Sequence, residues 1–117
     1  MPKPDRVSAW LVVRATVANA ADRAAFDRWY HDEHLPDAMK AFAVTTAWRG
    51  WSQNDPSVHC AYYRFDSLDR LNSIMTGPDI QALIEEFDRH WKGRVTRTRE
   101  VMSVADELAK EVGEEQL

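Results

Sequence analysis

Trp29-Tyr30-His31-Asp32-Glu33-His34-Leu35-Pro36-Asp37 is the stretch from which the rest of the chain can be ordered. It closes a run, Ala20 to His34, of strong helix formers without glycine or proline, and Pro36 reads as the stop. Asn19 stands where an N-cap belongs, with Asp22 three residues on. The spacing therefore predicts a first helix ending near His34. At about 100° per residue, with Phe26 at the centre of the buried face, Trp29, Tyr30 and Glu33 project inward. His34 falls about 80° round, at the rim of that face, while His31 and Asp32 point to solvent. An ionised carboxylate is expensive to bury, so an inward Glu33 implies an arginine partner or a cavity.

Ahead of this helix, Ala9 to Val17 alternates between an apolar set (Leu11, Val13, Ala15, Val17) and a mixed set (Trp10, Val12, Arg14, Thr16), a strand with two unlike faces. Behind it, Val44 to Trp51 and Val58 to Phe65 are strand-like about the turn cluster Ser52 to Ser57, which makes a hairpin. In the second arm, His59, Ala61, Tyr63, Phe65 and Val58, Cys60, Tyr62, Arg64 are equal candidates for the helix side. Ser67 caps a second helical stretch through Met75, Gly77-Pro78 interrupts it, and Asp79 to Trp91 resumes with Ile80, Leu83, Ile84 and Phe87 at helical spacing. Gly93 ends that helix and Val95 to Val104 is the last strand. The order β-α-β-β-α-β is that of an α+β, ferredoxin-like split βαβ fold, a four-stranded antiparallel sheet with helices on one face. It occupies residues 1–104; residues 105–117 read as an acidic C-terminal tail or helix.

With 117 residues the chain suits one domain. The net charge of −4 comes from Asp106, Glu107, Glu111, Glu114 and Glu115 against Lys110, so the body is neutral. That balance argues against nucleic-acid binding. The single cysteine, Cys60, allows no internal disulfide, and no segment reaches the roughly 18 apolar residues of a membrane span. The expectation is a cytoplasmic protein without membrane contact.

Helices on one face leave the other bearing Trp10, Val12, Arg14, Trp48, Tyr62 and Arg64, too much aromatic surface for water. A second copy of the chain is the economical cover, and two facing sheets would enclose a cavity.

Phe26-Asp27-Arg28-Trp29-Tyr30-His31-Asp32-Glu33-His34-Leu35-Pro36-Asp37, with Phe65-Asp66-Ser67-Leu68-Asp69-Arg70-Leu71 downstream, resembles the dimeric α/β-barrel proteins of the EthD type. The likeness spans residues 8 to 104. It implies a homodimer with a cavity, and a superfamily whose members include small monooxygenases, cyclases, isomerases and dehydratases. In that family the histidine before Leu/Met-Pro commonly faces the pocket; here it is His34, with Trp29 and Tyr30 as its aromatic neighbours. The segment Asp37 to Ala43 lacks the glycine-containing turn usual there.

These residues define two functional readings. In the first, the chain is a cofactor-independent enzyme, of isomerase, dehydratase or monooxygenase type, acting on a small apolar carbonyl or aromatic compound. His34 is its general acid/base, Tyr30 or Tyr62 a hydrogen-bond donor and Arg14 the stabiliser of an oxyanion, with Trp10, Trp29, Trp48 and Tyr62 as walls. In the second, the chain binds a hydrophobic small molecule or haem without catalysis. Each residue also has a plain structural reading. His34 caps a helix end as a cation, Arg14 pairs with Glu100 or another acid across the sheet, His59 and His90 pack, and Arg94, Arg97 and Arg99 form a solvated strand edge, the alternative for that cluster being a site for an acidic partner or a substrate carboxylate. His31, Glu33 and His34 diverge too far for a metal, and none is expected.

Overall fold

The computed structural model describes residues 7–108; the expected tail lies outside them from residue 109 onward. Four strands form one open antiparallel sheet, β1 (Ala9–Thr16), β2 (Ala47–Trp51), β3 (Val58–Phe65) and β4 (Thr96–Ser103), in the order β2-β3-β1-β4. Register settles which faces agree. Leu11 lies opposite Tyr63 and Val101, Val13 opposite Ala61 and Arg99, and Ala15 opposite His59 and Arg97. Because side chains alternate with period two, these rows share one face. Leu11, Ala15, Ala61, Tyr63 and Phe65 are buried there, so His59, Ala61, Tyr63 and Phe65 form the helix side of β3. The fold is thus the ferredoxin-like α+β arrangement that the element order predicts.

The first helical arm differs from the expectation. Asn19 Oδ1 accepts from the Ala21 N–H at 3.0 Å and opens a short 3-10 turn, Ala20–Asp22. It leads into α1 (Arg23–Trp29), a single π-helical turn (Tyr30–His34) and α2 (Leu35–Phe42). The arm therefore does not stop at His34, and Asp37 to Phe42 is helix rather than loop. Inside a regular α-helix Pro36 would crowd the carbonyl four residues back. The π turn just ahead widens the backbone there, the Leu35 N–H reaching back five residues to the Tyr30 carbonyl. Pro36 then sits in the first turn of α2, where a missing N–H costs little.

What ends the arm is Ala43, which takes the left-handed conformation (φ 53°, ψ 48°) usually given to glycine. Its N–H returns to the Lys40 carbonyl, and Arg70 donates to the carbonyls of Phe42 (2.6 Å) and Ala43 (3.3 Å). Val44, expected in the strand, instead donates to the Met39 carbonyl and is buried with the core. The second arm follows the sequence closely. Ser67 Oγ accepts from the Arg70 N–H, α3 (Leu68–Met75) runs to the Gly77-Pro78 break, and α4 (Pro78–Trp91) continues. Ile80, Leu83, Phe87 and Trp91 of α4 are buried against the sheet and first arm.

Candidate active site

The π turn decides where His34 points. Phe26, Tyr30, His34, Ala38 and Phe42, each four residues apart, are all buried. In an unbroken α-helix such a row drifts by about 40° per step, roughly 160° from end to end. A π turn acts as a one-residue insertion and takes back about 100°, which holds the row on one face. His34 thereby occupies the inward position that regular phasing assigns to Glu33, and Glu33 is exposed with His31 and Asp32. The three residues considered for a metal point to different environments. Among the described residues no group of three His, Cys, Asp or Glu side chains converges.

His34 is 9% exposed and packed among rings. It stacks on Trp29, with centroids 4.6 Å apart and planes 21° apart, and meets Tyr30 edge-on at 4.8 Å. Among the described residues its Nδ1 is enclosed without a partner, and His34 lines a cleft. Burial, and then the positive charge of Arg97, pushes its pKa down to about 4. His34 is therefore neutral at pH 7 and, with eight helical residues beyond it, is not a cationic cap at a helix end.

A narrow cleft lies between helices and sheet, with a cavity volume of about 30 Å³, and opens to solvent. Leu11 and Val13 of β1 form its floor and Ile80, Leu83 and Ile84 of α4 its roof. Its polar groups are His34, Tyr30, Tyr63, Arg97 and Arg99. The hydroxyls of Tyr30 and Tyr63 are hydrogen-bonded at 3.0 Å. One donates to the other, so the accepting hydroxyl keeps its own proton for a ligand. Burial raises the Tyr30 pKa to about 12 and that of Tyr63 well above the ordinary value, so both are protonated donors.

Arg97 and Arg99 are not a solvated edge. Their register with Ala15 and Val13 turns them toward the helices. Arg97 is held by Asp88 at 3.1 Å and lies over the Phe87 ring, 4.0 Å from its centroid. Behind the cleft, Asp27 Oδ1 accepts from Arg49 and from the Trp51 indole, each at 2.8 Å, which ties α1 to β2. Those two donors hold the Asp27 carboxyl below its usual range. Arg49 also approaches His59 Nε2 at 3.2 Å. A guanidinium can only donate, so His59 accepts there and carries its proton on the enclosed, unpartnered Nδ1. Desolvation and the neighbouring Arg49 lower the His59 pKa to about 4.

The predicted site residues divide between two faces. His34 and Tyr30 line the cleft and Trp29 backs it, whereas Trp10, Arg14, Trp48 and Tyr62 lie on the sheet face opposite the helices. There Trp48, 52% exposed, stacks on Tyr62 at 4.0 Å, and Trp10 meets the same ring edge-on. Arg14 does not pair with Glu100; its guanidinium reaches Cys60 Sγ at 4.0 Å. Sequence reasoning missed Tyr63 and left Arg97 and Arg99 between a solvated edge and a site for a carboxylate. Only the register with β1 identifies their side of the sheet.

No protein-family model and no curated protein matches the chain. Solved structures do. An EthD family protein from Bacillus halodurans superposes with a TM-score of 0.57 at 16% identity, covering 78% of this chain and 96% of its own. SnoaB, a cofactor-independent oxygenase from Streptomyces nogalater, gives 0.61 at 12% identity over 89% and 99%. A dimeric ferredoxin-like protein from an uncultured marine organism gives 0.55 at 12% identity over 87% and 99%. These likenesses show that the chain has a ferredoxin-like fold. Among the described residues, no helix is long and apolar enough to cross a membrane.

Proposed function

We propose that this chain is a small homodimeric, cofactor-independent enzyme of isomerase, dehydratase or monooxygenase type that transfers a proton at an activated carbon of a small apolar carbonyl or aromatic compound. The observation that carries the reading is a neutral, buried His34 facing one cleft with a protonated tyrosine pair. His34 takes the proton from the carbon beside the carbonyl. The free hydroxyl of the Tyr30–Tyr63 pair donates to the oxygen on which negative charge develops, inside a site with little competing water. Return of the proton to another carbon isomerises the compound, and its delivery to a leaving hydroxyl dehydrates it. Arg14, on the other face, has no part in this cleft; the cationic role falls to Arg97 and Arg99. A related fold in a cofactor-independent oxygenase supports an enzyme-like scaffold. Dimerisation is supported by the exposed Trp48 and Met102 on the uncovered sheet face.

The test is exchange of the α-hydrogens of an enolisable aromatic ketone, 2-tetralone, in D2O, followed by proton NMR. The protein accelerates exchange over buffer, and His34→Gln lowers the acceleration by on the order of 10²-fold while the circular dichroism spectrum is kept. Equal exchange with and without protein rejects the reading.

A further inference from the structure

The two arginines of the cleft are in unlike electrostatic states. Arg97 is already neutralised by Asp88 and laid on Phe87. Arg99, two residues along the same strand, lines the same cleft and has no ion-pair partner among the described residues. It is half-buried between the β1 floor, where it pairs in register with Val13, and the helix layer. Burial already pulls its pKa below the ordinary arginine value. A half-buried guanidinium whose nearest carboxylate is already engaged by Arg97 gains from a bound anion of its own. The one carboxylate that acts on Arg99, Asp88, is already bound by Arg97, and the cleft lining itself holds no acidic side chain.

We infer that the cleft takes an organic monoanion, a compact apolar body bearing one carboxylate, with that group bound by the Arg99 guanidinium and the body along Leu11, Leu83 and Ile84. This rests on the proposed function only in using the same cleft, and it narrows the substrate from carbonyl compounds in general to acids among them. Arg99 binds bidentately, as its planar fork matches a carboxylate. The opposite end of the ligand then lies toward His34 and the tyrosine pair.

Isothermal calorimetry of the full chain with 2-naphthoate and its uncharged match, 2-naphthamide, tests the inference. The acid binds about tenfold or more tightly than the amide, a preference that weakens with added salt. Arg99→Gln removes the preference and leaves amide affinity unchanged; Arg99→Lys restores part of it, which separates lost charge from lost packing. Equal affinity of acid and amide in the unaltered protein, or a preference that survives Arg99→Gln, overturns the inference and leaves the proposed function standing. Binding of neither probe rejects the cleft as a binding site and both readings with it.

Discussion

His34 and Trp29 stack nearly parallel at 4.6 Å although they are five residues apart, a separation that one turn of π-helix, not of α-helix, brings onto one face. The stack buries an imidazole whose Nδ1 has no partner among the described residues. A side chain held so expensively in place is the reason to place chemistry there.

The first prediction concerns acid. His34 and His59 have ordinary pKa values of 6.5 when unfolded and about 4 when folded. From pH 6.5 down to 4 the unfolded chain binds protons that the folded chain refuses. Stability is therefore constant above about pH 7 and falls as the pH falls through that window, by on the order of 3 kcal/mol per histidine at pH 4. Urea midpoints at pH 7.5, 6 and 5 check this above the carboxylate range, and His34→Leu makes the decline shallower. A midpoint that does not move between these conditions means the histidines are not buried as neutral groups.

Ala43→Gly stabilises the protein. The left-handed backbone at this helix end is strained for alanine and free for glycine, a gain of about 0.5–1 kcal/mol that exceeds the extra entropy of the unfolded glycine. It reads as a higher urea midpoint with an unchanged slope.

The hydroxyl pair yields a double-mutant cycle. Tyr30→Phe leaves the Tyr63 hydroxyl buried without its partner, and Tyr63→Phe does the same to Tyr30, each costing about 1–3 kcal/mol. The double variant costs less than the sum of the two, because no orphan hydroxyl remains. Strict additivity would show that the 3.0 Å contact carries no energy.

Light scattering at micromolar concentration gives twice the 13.5 kDa chain mass. Trp48→Glu puts a charge on the uncovered face, at its β2 edge, and returns the mass to that of one chain. A wild-type mass of one chain at that concentration rejects the dimer.

The β-α-β-β-α-β order, the unlike faces of β1, the Ser67 cap and the Gly77-Pro78 break were all legible in the sequence, because each depends on local periodicity or local backbone chemistry. His34 was legible as a residue but not in its direction. Helical phasing assumes an unbroken period, and nothing local to Tyr30–His34 announces that the turn widens. Burial of Phe26 and Tyr30 on one side of the turn, and of Ala38 and Phe42 on the other, selects it.

The sequence by itself determined the four strands, the second helical arm and the order of the elements, and which motif the first arm carries. The tertiary structure alone decided that Glu33 faces water while His34 faces a cleft, and that Arg97 and Arg99 join it there. The reason is physical: a side chain's direction along an arm depends on every turn before it, and a strand's facing depends on its register with a neighbour. Both are fixed only when the distant surfaces meet and bury their apolar groups together.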